Sequence, residues 1–115
     1  MAITARVCNA ISILPLLDLV SAAEAHGETV PVKEHVRYAG PVRCELAENH
    51  DLDGAHCVYV KEWDDATGNL WWRWLPNGPG EFVSALACEA LSGGDDPQAC
   101  YLIADHPREH SWELL

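Results

Sequence analysis

Hydrophobic and polar residues alternate with a period of two along the middle of the chain, which is typical of half-buried strands. This alternation predicts strands in 30–38 (VPVKEHVRY), 42–46, 56–63 (HCVYVKEW) and 70–75 (LWWRWL). The connection 64–69 (DDATGN) is rich in turn-forming residues. The strands on either side of it are therefore expected to form a hairpin.

Two other stretches repeat their apolar residues with the period of a helix. Residues 12–27 form the first, with Gly27 as the residue that ends it, and residues 82–91 form the second. Closing strands are predicted at 99–105 and 111–115. The order of elements predicts a small single α+β domain, with a mainly antiparallel sheet of about five strands and one or two helices packed on it. No internal repeat is recognisable in the sequence.

The amino-terminal segment 1–25 fits two interpretations. It ends in small residues that suit signal-peptide cleavage after Ala25, which predicts a secreted or periplasmic protein. It also fits a retained helix, and Asp18 inside the apolar stretch favours that reading and a cytoplasmic protein. Residues 26–115 form the single α+β domain in either case. The longest apolar run is shorter than the roughly 20 residues of a membrane span.

The net charge of the chain indicates which class of macromolecule it can bind. Eighteen acidic residues face seven basic ones, which gives a net charge of −11 over 115 residues. Direct binding to nucleic acid needs a cationic face and is therefore not expected. An acidic surface favours a protein partner that is basic, or it serves only to keep the protein soluble.

Tryptophans are concentrated around the predicted hairpin. Alternation places Trp72 and Trp74 on one face of the 70–75 strand and Trp71 with Arg73 on the other. We expect the face with Arg73 to be the more exposed one, because an unpaired buried charge is costly. The alternative is that all the indoles pack in the core. The predicted partner-binding residues are Trp63, Asp64, Asp65, Trp71 and Arg73.

The sequence is compatible with either disulfides or free thiols among its five cysteines. Removal of a leader would take Cys8 away and leave four, for which the disulfide candidates are Cys44 with Cys57 and Cys88 with Cys100. If the leader is retained, reduced thiols are expected, because cysteine also behaves as a small core residue.

A metal site is weakly indicated by the histidines. The candidates are His50, His56, His106 and His110. There is no C-x-x-C motif, and Pro107 suggests that the last two histidines flank a turn, where their spacing loses its helical meaning. We therefore expect no metal and no other cofactor.

Motifs for catalysis are missing from the sequence, which has no nucleophile elbow and no phosphate-binding glycine loop. A non-enzymatic protein is expected, acting by protein–protein interaction as an inhibitor or accessory subunit through the tryptophan strand and the acidic surface. One alternative is a secreted, disulfide-stapled domain with a histidine-based metal-handling role. Another is an acidic nucleic-acid mimic that blocks a DNA-binding protein.

Overall fold

Two antiparallel sheets and a few short helices make up this small α+β domain. The structure is a computed structural model and describes residues 6–28, 32–50, 54–63, 67–76 and 78–114. The strands are β1 (Ile11–Leu14), β2 (Gly40–Arg43), β3 (His56–Glu62), β4 (Asn69–Trp74) and β5 (Gly80–Ala85). The helices are α1 (Leu16–Ala25) and α2 (Val32–His35), with 3-10 turns at Val36–Tyr38 and Ser111–Glu113. β1 pairs with β2, and the second sheet has the order β3-β4-β5.

Helix α1 lies within the predicted 12–27 stretch but begins later, after Pro15. It ends as predicted at Gly27, which has a φ of +93°. The Gly27 N–H donates to Glu24 O, and the Glu28 N–H donates to Ala23 O, both at 2.9 Å. These two bonds form a Schellman motif and satisfy carbonyls that the helix end leaves unpaired.

The hairpin of β3 and β4 forms as predicted. His56 opposes Trp74 at one end, Glu62 opposes Asn69 at the other, and a bulge lies between Tyr59 and Lys61. Residues 64–66 of the predicted connection lie outside the described residues. Cross-strand aromatic packing supports this register, with the rings of Tyr59 and Trp71 arranged edge to face at 5.5 Å.

The helix predicted over 82–91 is wrong. Residues 80–85 form β5, which pairs with the free edge of β4 along its whole length. This pairing satisfies the β4 backbone and brings Phe82 against Trp72 at 4.8 Å between ring centroids. Tertiary pairing of this kind overrides a helical pattern of apolar residues.

The outer strand predictions also need correction. The described part of 30–38 is helical, as α2 and the first 3-10 turn, and β2 is displaced toward Gly40 from the predicted 42–46. Residues 99–105 contribute only isolated bridges, and Ser111–Glu113 is a 3-10 turn.

The prediction that Trp71 lies on an exposed face of β4 is wrong. The Trp71 side chain is 0% exposed, while Trp72 and Trp74 are buried as predicted. Core side chains pack against both faces of β4, and Trp71 donates its indole N–H to Ala85 O at 3.0 Å. Arg73 on the same face reaches the solvent-exposed edge and pairs with Glu81. Among the described residues, no helix has the length and apolar character needed to cross a membrane.

Candidate metal centres

Four side chains from distant parts of the chain converge in what we call the N-terminal cluster, formed by Cys8, Cys44, His50 and His56. Their ligand atoms all lie within 4.8 Å of one another. Cys8 Sγ is 3.4 Å from His56 Nδ1, and Cys44 Sγ is 3.5 Å from His50 Nε2. The two ring nitrogens are 3.2 Å apart.

A second group of the same composition, the C-terminal cluster, consists of Cys88, Cys100, His106 and His110. Cys88 Sγ is 3.5 Å from His110 Nδ1, and Cys100 Sγ is 3.3 Å from His106 Nε2. The ligand atoms again lie within 4.8 Å of one another.

Backbone geometry brings the ligands of each cluster together. In the N-terminal cluster an isolated bridge pairs Val7 with Ala47 and so sets Cys8 beside Cys44, while His56 is the first residue of β3. In the C-terminal cluster His110 caps the last 3-10 turn: its backbone N–H donates to the Glu113 carboxylate at 3.0 Å. This capping explains why Ser111–Glu113 forms a 3-10 turn and not the predicted strand.

The distances suit a tetrahedral zinc ion. With Zn–S near 2.3 Å and Zn–N near 2.0–2.1 Å, tetrahedral angles require about 3.5 Å between sulfur and nitrogen and about 3.3 Å between two nitrogens. The separations of the four closest sulfur–nitrogen pairs named above span 3.3 to 3.5 Å, and His50 Nε2 is 3.2 Å from His56 Nδ1. Two cysteines with two histidines are also a composition typical of structural zinc.

Burial disfavours charged thiolates in these clusters unless a cation compensates them. It raises the pKa of the Cys44 thiol to about 12 and raises the pKa of Cys88, so without metal these thiols keep their protons. Burial also lowers the pKa of His56, which keeps its imidazole in the neutral form that binds metals. Two thiolates neutralise a divalent ion, so the filled site carries no net charge into the interior.

Neighbouring groups support the ligands. Cys100 Sγ accepts a hydrogen bond from the Ser111 backbone N–H at 3.4 Å, which is the kind of contact that stabilises a metal-bound thiolate. The His110 ring stacks on Trp112 at 4.6 Å and 19°, and the His56 ring lies 5.4 Å from Trp74. These contacts hold the imidazole planes in place.

All four histidine candidates from the sequence therefore lie in the clusters, although the sequence analysis expected no metal. The spacing between histidines does not reveal the sites, because the ligand set of each cluster also needs two cysteines from elsewhere in the chain. A signal was present: Cys44 precedes His50 by the same spacing as Cys100 precedes His106.

The disulfide candidates are free thiols in this structure, as are all five cysteines, each of which is a described residue. Cys44 lies beside Cys8 in the N-terminal cluster, not in a bridge to Cys57. Cys57 is fully buried outside both clusters, and burial raises the pKa of its thiol to about 12.

Of the predicted partner-binding residues, the structure describes Trp63, Trp71 and Arg73. Trp63 and Trp71 are buried, and Trp63 donates its indole N–H to Ser84 Oγ at 2.9 Å. Arg73 is partly exposed and paired. Asp64 and Asp65 lie outside the described residues.

Comparison with known proteins gives no matching family model, and neither a curated protein nor a solved structure matches the chain.

Proposed function

We propose that this protein is a non-enzymatic binding module whose fold is held together by two structural zinc ions. The observation that carries the proposal is the pair of clusters, each with two thiol and two imidazole donors within 4.8 Å of one another. Each cluster supplies four protein ligands, which closes the coordination sphere of zinc. A catalytic zinc keeps one position open for water or substrate.

Metal content tests this proposal directly. We expect protein purified without chelators to hold two zinc ions per chain by native mass spectrometry and elemental analysis. Cys44→Ser and Cys100→Ser should each hold one. Cys57→Ser is the matched control, because Cys57 is a buried thiol outside both clusters, and it should keep two.

Zinc-free protein that is nevertheless folded by circular dichroism would overturn the zinc part of the proposal. So would loss of zinc from Cys57→Ser equal to the loss from Cys44→Ser.

The binding part of the proposal rests on the surface. The net charge of −11 favours a basic protein partner. Exposed apolar side chains lie on β1 and early in α1: Ile11 is 58% exposed, Ile13 is 63% and Leu17 is 76%. Since the tryptophans of β4 are core residues, we place the contact surface on β1 and the start of α1.

A matched pair of baits tests that placement. Wild type and Ile11→Asp/Ile13→Asp would be used for affinity purification from native cells, after both are shown to melt alike. We expect a partner that wild type retains and the variant loses. A partner recovered equally by both would contradict this surface.

The alternative, a metal-handling role, would use the same two clusters. The rate of zinc exchange distinguishes that role from a structural one. Exchange of bound zinc with an isotopically enriched zinc salt should be slow for buried structural sites. Exchange within seconds would favour zinc transfer over a structural role.

A further inference from the structure

The two clusters are built on the same backbone frame. We define the N-terminal unit as residues 6–11, 43–50 and His56, and the C-terminal unit as residues 86–91, 99–106 and His110. In the N-terminal unit the Cys8 N–H donates to Leu46 O at 2.7 Å. In the C-terminal unit the Cys88 N–H donates to Leu102 O, also at 2.7 Å.

The second cysteine of each unit repeats this correspondence. The Cys44 N–H donates to Ala10 O, and the Cys100 N–H donates to Ala90 O, both at 2.8 Å. In each unit the acceptor follows the first cysteine by two positions. The paired backbone segments of the two units therefore have the same register around their cysteines.

Unusual backbone conformations fall at equivalent positions. The residue after the first cysteine has positive φ in both units, with 60° at Asn9 and 59° at Glu89. The residue before the first histidine does so as well, with 58° at Asn49 and 62° at Asp105. Positive φ is uncommon outside glycine, so this coincidence indicates a shared structural requirement.

The ligand atoms correspond in the same way. The second cysteine lies closest to Nε2 of the first histidine, His50 or His106. The first cysteine lies closest to Nδ1 of the second histidine, His56 or His110. The two rings of a cluster meet at 86° in the N-terminal unit and at 87° in the C-terminal unit.

We infer that the chain contains one metal-binding unit twice, and that both copies hold zinc in the same way, through Nε2 of the first histidine and Nδ1 of the second. This inference rests on the proposed zinc binding. The main difference between the copies lies in what joins their two strands. Residues 12–42, with α1 and α2, are inserted in the N-terminal unit, whereas the C-terminal unit has only the loop 92–98.

Each unit contains its complete ligand set, so each site binds its own ion without ligands from the other. Binding through one ring nitrogen leaves the proton on the other. His50 and His106 therefore carry their proton on Nδ1 in the zinc-loaded protein, and His56 and His110 carry theirs on Nε2.

Long-range proton–nitrogen correlation spectra of histidine-labelled, zinc-loaded full-length protein test this assignment. We expect two histidines of the Nδ1–H tautomer and two of the Nε2–H tautomer, divided between the units as stated. His26 and His35 belong to neither cluster and are the internal controls; their signals should show no metal-bound nitrogen.

The outcomes separate this inference from the proposed function. Two bound zinc ions with unlike tautomers at equivalent histidines would overturn the duplication and leave zinc binding intact. Absence of zinc from the same sample would overturn both.

Cobalt substitution gives a second readout in variants that keep one site. Cys44→Ser should retain the C-terminal site and Cys100→Ser the N-terminal site. We expect both to show the same visible spectrum of a tetrahedral site with two sulfur and two nitrogen ligands. Clearly different spectra would contradict equivalent coordination.

Discussion

At the scale of single residues, tryptophans are buried on both faces of one strand when other side chains pack against both faces of its sheet. Trp71 and Trp72 point to opposite faces of β4, yet the exposed fractions of their side chains are 0% and 5%. Each indole N–H has a partner, Ala85 O for Trp71 and Ser12 Oγ for Trp72. A buried indole is stable only with its N–H satisfied, and both residues meet that condition.

We therefore expect Trp71→Ala and Trp72→Ala to lower the free energy of unfolding to a similar extent, by roughly 3–5 kcal/mol each. Chemical denaturation measures both values. Leu17→Ala is the control, since Leu17 is 76% exposed and its truncation should be nearly neutral. A Trp71→Ala variant as stable as wild type would show that this indole is not part of the core.

A buried ion pair gives a second prediction at this scale. Lys61 Nζ on β3 lies 2.7 Å from Glu28 Oε1 after α1, and the side chains are only 10% and 6% exposed. Lys61→Ala removes the cation and leaves the carboxylate buried, which should cost about 3–5 kcal/mol.

The double variant Lys61→Met/Glu28→Gln should lose less, because it removes both charges while keeping most of the volume. Denaturation of both variants compares the two losses. Equal losses of unfolding free energy would show that Lys61 does not stabilise the domain by compensating the charge of Glu28.

At the scale of elements, β5 shows how packing selects a strand against a helical pattern. Gly80, its first residue, lies under the Trp72 indole, and a Cβ there would overlap the six-membered ring of that indole. The absence of a side chain at Gly80 lets Trp72 cover the edge where β5 begins. The position of β5 and the packing of the Trp72 indole therefore depend on each other.

We expect Gly80→Ala to destabilise the domain by about 1–3 kcal/mol, as overpacking of a well-filled core does. Thermal melting compares it with Gly93→Ala, where a Cβ would meet nothing within 4 Å. The control should change the melting temperature little. Equal melting temperatures for the two variants would show that Trp72 moves to accommodate the added Cβ without a loss of stability.

At the scale of the whole molecule, the clusters lie near opposite ends of the three-stranded sheet. His56 opens β3 beside Trp74 and Gly80, whereas Cys88 follows the far end of β5, where Ala85 pairs with Asn69. The N-terminal cluster ties the residues around Cys8 and Cys44 to the sheet. The C-terminal cluster organises the segment after β5, which has little regular structure of its own.

Metal removal should therefore destabilise the entire domain. We expect a chelator to lower the melting temperature strongly, and added zinc to restore it in proportion to the logarithm of free zinc. Near-ultraviolet circular dichroism should lose the tryptophan signal in the same transition. An unchanged melting temperature in excess chelator, with zinc shown to be gone, would contradict a structural role.

Local sequence patterns were enough to predict the α+β class, the β3–β4 hairpin and the end of α1 at Gly27, because these depend on alternation, turn residues and the conformational freedom of glycine. They did not predict β5, which depends on pairing with β4, or the burial of Trp71, which depends on what packs against its face of the sheet. Nor did they predict the metal centres, although all four histidines were recognised as candidates. Each centre joins ligands from separated stretches, such as Cys8 with Cys44 and His56, and only the tertiary structure brings those sulfur and nitrogen atoms to the separations that zinc requires.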